Sequence, residues 1–158
     1  MSALVSFERV FEVLDLKPLI EEKPDAREVP DGPVSVEFDG VRFAYPAADK
    51  VSLASLEEVA SLDRGDGTEV LHGISFRAEP GQTVALVGPS GAGKSTIAQL
   101  LPRLYDVDEG AVRIGGTDVR DLSTASLRAT VGMVTQDGHL FHDTVRANLL
   151  LARPEARD

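Results

Sequence analysis

The chain has 158 residues, 42% of them apolar and 27% charged, which is the make-up of about one globular domain and not of a disordered tail. Acidic residues outnumber basic ones 26 to 16, for a net charge of -10, and no basic patch interrupts them, so nucleic acid is disfavoured as a partner. With no cysteine, disulfide scaffolds, thiolate zinc sites and thiol nucleophiles are excluded, and His72, His139 and His142 do not form a convincing metal set. No apolar run approaches the roughly 18 residues of a membrane helix, and the amino terminus is too charged for a secretory leader. A soluble, cytoplasmic chain is expected.

In chain order, Ser2 to Leu16 reads as an amphipathic helix, with Phe7, Val10, Phe11 and Leu14 on one face and Pro18 ending it. Glu21 to Pro33 is rich in charge and proline and reads as a connector. Val34 to Phe38 alternates as a strand, Gly40 makes a turn, and Val41 to Tyr45 makes a second strand stopped by Pro46. The stretch 47–67 has a different texture and reads as an insertion with a short helix. Val70 to Phe76 is a strand. Thr83 to Val87 is an apolar run suited to a strand buried on both faces. Lys94 to Leu101 is helical, Ala111 to Ile114 a strand, Ser123 to Ala129 a helix capped by Ser123, Val131 to Thr135 a strand, and Phe141 to Leu151 a helix. Strands followed by alternating strand and helix predict an α/β core on a mixed sheet.

The most informative run is Gly88-Pro89-Ser90-Gly91-Ala92-Gly93-Lys94-Ser95, followed by Thr96. It satisfies G-x-x-x-x-G-K-[ST] at every fixed position, between an apolar run and a helix. The chemistry accounts for each residue type. Gly88, Gly91 and Gly93 let the backbone turn sharply and approach phosphate oxygens closely. The amides of Gly91 to Thr96 can then converge on one anion at the positive end of a helix. Lys94 adds a mobile point charge for the outer phosphates. The Ser95 hydroxyl suits Mg2+, which prefers oxygen ligands. A purely structural turn requires neither the lysine nor the hydroxyl, so the run predicts a nucleoside triphosphate site without naming the base or the reaction.

Two residues outside the loop are further candidates. Tyr45, at the end of a strand, could stack on a purine ring, or it could be core. Gln136, after the strand 131–135, could bond a metal-bound water, or it could be an exposed loop amide.

The order Tyr45, then Gly88 to Thr96, then Val134-Thr135-Gln136-Asp137, Leu140-Phe141 and Thr144-Val145-Arg146-Ala147-Asn148 resembles the nucleotide-binding domain of ABC transporters. Arg9 to Asp15 together with Glu22-Lys23-Pro24-Asp25 resembles the linker that precedes this domain in ABC exporters. The resemblance spans nearly the whole chain apart from 47–67. It implies the P-loop NTPase core of an ABC ATPase, a mixed sheet with helices, in incomplete form. Residues 1–33 would be linker helix and connector, and 34–158 the N-terminal part of the nucleotide-binding domain. Tyr45 would stack on adenine. Gly88, Pro89, Ser90, Gly91, Ala92, Gly93, Lys94, Ser95 and Thr96 would hold the phosphates of ATP. Ser95 and Gln136 would hold Mg2+, with Lys94 and Gln136 supporting catalysis. The loop from Gln136 to Asp143 would lie near the coupling helices of a membrane domain.

Other family features have no match in this sequence. An apolar strand ending in a catalytic Asp-Glu (Walker B), the signature Leu-Ser-Gly-Gly-Gln and the later switch histidine are lacking. Asp108-Glu109 sits in a polar turn, and His139 and His142 lie in the wrong segment. The expectation is therefore the ATP-binding part of an exporter subunit. Its complete form would act at the cytoplasmic face of the plasma membrane with a transmembrane domain and a second nucleotide-binding domain, in a homo- or heterodimer. The alternatives are a non-catalytic nucleotide-binding remnant or another P-loop NTPase; against the latter, no Asn-Lys-x-Asp base-reading run is present.

Overall fold

The computed structural model describes residues 10, 11, 14, 18–46, 67–135, 138 and 140–156. Most of the expected opening helix, the expected insertion 47–67 except its last residue, and Gln136, Asp137 and His139 lie outside the described residues; Val10, Phe11 and Leu14 are helical. Strand β1 (Val36–Ala44) is central. It pairs antiparallel with β2 (Glu69–Ala78) on one side and with β3 (Glu109–Ile114) on the other, and β3 pairs with the short β4 (Thr117–Asp118). Helices α1 (Lys94–Leu100), α2 (Thr124–Thr130) and α3 (Val145–Ala152) follow, with a 3-10 turn at Val119–Asp121 before α2.

Alternation along the strands sorts the two faces of the sheet. Phe38, Val41, Phe43, Leu71, Val112 and Ile114 are buried and meet Leu100, Leu122 and Leu127 in one cluster. Phe38 stacks on Phe76 at 4.7 Å, a cross-strand pair worth about 1 kcal/mol beyond its buried area. The opposite face carries Arg77–Glu37 and Arg113–Asp39 ion pairs, which keep it wetted.

Two expected strands are one. Gly40, expected as a turn, takes φ 58° inside β1, and the register slips between Phe38 and Val41, so the chain bulges there without reversing. Gly110 permits the bulge, because a Cβ at that position would stand 2.4 Å from the Asp39 carbonyl oxygen.

The runs 83–87 and 131–135, expected as strands, carry no ladder in the structure. Val84 and Leu86 are exposed, Val87 is 94% and Val134 100% exposed. An apolar run becomes a strand only where a neighbour accepts its main-chain bonds, and the four described strands pair among themselves. That sheet is wholly antiparallel; among the described residues, parallel contact is limited to an isolated bridge between Arg27 and Leu122.

The connector is strapped to the domain. The Arg27 amide donates to the Asp121 carbonyl and the Ser123 amide to the Arg27 carbonyl, each at 2.8 Å, and the Val29 amide donates to Ser126 Oγ at 2.7 Å. Lys23 pairs with Asp121, and the Thr124 amide donates to the Glu22 carboxylate at 2.6 Å. Arg103, buried and left-handed at φ 55°, grips Asp106 at 2.7 Å and donates to the Glu21 carbonyl at 3.3 Å.

Candidate nucleotide-binding site

The loop from Gly88 to Ala92 is exposed and leads into α1, whose N-cap is Gly93 at φ 80°, with Gly91 also left-handed at φ 81°. Only glycine takes this conformation without penalty, so the motif's spacing is realised as backbone geometry. Helices α2 and α3 are closed by hydroxyls: Ser123 Oγ accepts from the Ser126 amide, and Thr144 Oγ1 from the Ala147 amide. Helix α1 has no side-chain cap and no acidic residue in its first turn. Its leading amides therefore have no partner of their own on the helix and no competing carboxylate from that turn.

Lys94 Nζ donates to the carbonyls of Gly88 at 2.8 Å and Pro89 at 2.6 Å, closing the loop across its entrance. An ammonium has three hydrogens, so one remains for an outer phosphate oxygen while two fix the side chain. Ser95 is exposed beside it. Its hydroxyl oxygen fits a hard cation, and the chain's other expected Mg2+ oxygen, on Gln136, lies outside the described residues.

Tyr45 is half-buried at the end of β1. Its ring meets Phe43 edge-on at 5.0 Å and Tyr105 at 5.3 Å. Its hydroxyl lies 2.9 Å from both Thr96 Oγ1 and Gln99 Oε1, which ties the candidate base-binding residue to the helix of the phosphate loop. Sequence reasoning missed Gln99. The signal was the helical spacing from Thr96, which puts the two residues on one face.

Asp108 and Glu109 behave as a turn entering β3. Asp108 Oδ2 accepts from the Ala44 amide at 2.7 Å, and Glu109 pairs with Arg42, so neither ends a buried strand. After the Gln136 segment, Leu140, Phe141, Val145 and Leu149 line an open apolar groove of about 530 Å3, and all four are exposed. Helix α3 begins at Val145, four residues after the expected start. Asn148 explains the delay: its side chain accepts from the Phe141 amide and donates to the Phe141 and Thr144 carbonyls, holding 141–144 as a turn.

The sequence profile of the ABC transporter family matches residues 71–158, more than half of the chain. The chain thus belongs to the ABC transporter family. It is 42% identical over 147 residues to the ATP-dependent lipid A-core flippase of Desulfotalea psychrophila, covering 92% of this chain and 22% of that protein. It is 42% identical over 156 residues to the fatty acid ABC transporter ATP-binding/permease protein of Mycobacterium tuberculosis, covering 98% of this chain and 21% of the relative. A solved bacterial Atm1-family ABC exporter with ATP bound superposes with a TM-score of 0.77 at 38% identity, over 95% of this chain and 23% of that one. The chain spans less than a quarter of the length of these relatives.

Proposed function

We propose that this chain binds MgATP and that, within a complete exporter at the cytoplasmic face of the plasma membrane, it helps couple ATP binding and hydrolysis to transport. The carrying observation is the exposed loop itself: left-handed Gly91 and Gly93 lead into an uncapped helix, and Lys94 is pinned across the entrance with one N–H to spare. In this reading Gly88 to Thr96 cradle the phosphates, with Lys94 neutralising the outer ones. Ser95 and Gln136 hold Mg2+, which when bound supplies further charge neutralisation, and Tyr45 stacks on adenine. The relative solved with ATP bound supports this choice of nucleotide.

The apolar groove beside α3 is the surface offered to a transmembrane domain, and a second nucleotide-binding domain completes the assembly as a homo- or heterodimer. Residues 1–33 serve as linker and connector, 34–158 as the first part of the nucleotide-binding domain, and 47–67 as an insertion. In-line attack of water on the γ-phosphoryl group needs a carboxylate to orient the water. The first turn of α1 supplies none, and Asp108 and Glu109 are engaged elsewhere. Among the described residues at the loop, the contribution is accordingly binding and charge neutralisation.

Titration of the chain with MgATP in a calorimeter tests the reading. The parent is expected to bind, and Lys94→Ala to lose about tenfold or more in affinity, the scale of one charge-assisted contact of roughly 1.5–3 kcal/mol. A parent that ignores MgATP, or a Lys94→Ala variant that binds equally well, overturns it.

A further inference from the structure

The Tyr45 hydroxyl sits between two side chains of α1, at 2.9 Å from Thr96 Oγ1 and 2.9 Å from Gln99 Oε1. A phenol has one hydrogen. Donated to the Gln99 carbonyl oxygen, it leaves the Tyr45 oxygen to accept from the Thr96 hydroxyl, so the bonds run in one direction from Thr96 through Tyr45 to Gln99. Thr96 is 4% exposed, which gives its hydroxyl little access to water as a substitute partner. The Tyr45 ring is wedged edge-on against Phe43 and Tyr105, at interplanar angles of 81° and 89°. The aim of its hydroxyl is therefore set by the aromatic cluster and not by α1.

The first turn of α1 needs such a brace. The helix is seven residues long, starts without a side-chain cap, and is fed by the segment 82–92, which makes no ladder. A helix so short does not hold its own shape in water. Burial of Ile97 and Leu100 fixes the distance of α1 from the sheet. The rotation of the helix about its axis, which decides where Lys94, Ser95 and Thr96 point, calls for a directional contact, and the Tyr45 hydroxyl is one.

We propose that Tyr45, through its hydroxyl, and Gln99 are positioning residues for the phosphate loop: they lock the first turn of α1 to the end of β1 and so set the loop's grip on the phosphate chain. This role is separate from any stacking by the Tyr45 ring, and it rests on the reading of the loop as a triphosphate site. A ligand's base end and phosphate end would then share one side chain, its ring for the base and its oxygen for the loop.

The test uses the whole chain, two probes and three variants. MgATP carries a base; magnesium tripolyphosphate does not. Tyr45→Phe keeps the ring and removes the oxygen, Gln99→Met removes the far end of the brace with little change in volume, and Lys94→Ala is the control for the loop. Both brace variants are expected to weaken the two probes by the same factor, about fivefold, the scale of one hydrogen bond. Unchanged affinity for both probes overturns the proposal, as does a loss for MgATP alone, which would put the hydroxyl at the base. Hydrogen exchange across 93–99, measured without ligand, judges the brace separately: faster exchange in Tyr45→Phe than in the parent supports it, and equal exchange overturns it. If the parent binds neither probe, the triphosphate reading fails, and the exchange result alone decides the brace. Should Tyr45→Phe not fold, Gln99→Met carries both measurements.

Discussion

Gly93 and Gly91 look alike in the motif and take nearly the same backbone angle, φ 80° and 81°, yet the structure assigns them different burdens. A Cβ on Gly91 would meet nothing within 4 Å, whereas one on Gly93 would lie 2.5 Å from Leu71 Cδ2. Leu71 is 1% exposed in the core cluster and has little room to retreat. Gly91→Ala is therefore expected to cost only the left-handed penalty, about 1 kcal/mol. Gly93→Ala adds overpacking of about 1–3 kcal/mol to that. Urea unfolding midpoints of the two variants provide the comparison; equal losses would show that Leu71 yields freely. At this scale the motif made both glycines legible as backbone turns. The contact that separates them was not legible, because Leu71 reaches the loop from β2 and no spacing within the run reports it. Tyr45 is a similar case. Its place at a strand end was readable, but a ring wedged by Phe43 and Tyr105 with its hydroxyl on α1 depends on three separate segments.

At the scale of elements, charge helps hold the connector and the turn before α2. The Thr124 amide and side chain hold the Glu22 carboxyl below its ordinary pKa, against the opposing effect of burial and with Arg103 helping. Burial of Asp118 works against its ionisation most, but Arg120's side-chain and backbone bonds and Arg113 together outweigh it, so this carboxyl also titrates low. A depressed folded pKa means stability that is present above the ordinary carboxylate range near pH 4 and lost as pH falls through the lowered value. Acidification should thus loosen the strap at Glu22 and the turn at Asp118. Glu22→Gln is expected to lower Tm more at pH 7 than at pH 2.5, because the parent carboxyl's contribution is lost as pH falls through its lowered value; calorimetric scans at the two pH values check this. Ser123→Ala, which removes the α2 cap, should cost about 1 kcal/mol at either pH. The Ser123 cap, the limits of α1 and the cores of β2 and β3 were readable to within a few residues, because caps, glycines and alternation are local signals. The bulge at Gly40 was not, since it depends on Gly110 in another strand. Nor was the fate of 83–87 and 131–135: their residues promise burial, but a ladder needs a neighbour that no window of sequence displays.

For the molecule as a whole, those two segments and the groove beside α3 dominate behaviour. Val87, Val134, Leu140, Val145 and Leu149 are all more than 60% exposed. Each 100 Å2 of such surface left in water forgoes about 2.5 kcal/mol of burial energy, a large fraction of the roughly 5–15 kcal/mol that holds a domain together. The same surfaces bracket the site: 83–87 leads into the phosphate loop, and 131–135 leads to Gln136. Covering them would therefore steady the phosphate loop as well as the fold. This links stability to chemistry in a way that can be measured. The purified chain should unfold at low temperature, bind a hydrophobic dye and turn over no ATP. A second polypeptide carrying an exporter nucleotide-binding domain, added in trans, should raise Tm, displace the dye and bring a carboxylate that can orient the water, so that turnover appears in the mixture and vanishes again with Lys94→Ala. If the chain alone melts cooperatively at high temperature, the exposed segments do not weaken the fold. If it hydrolyses ATP without the addition and Lys94→Ala stops it, the division of labour between binding and water activation is wrong.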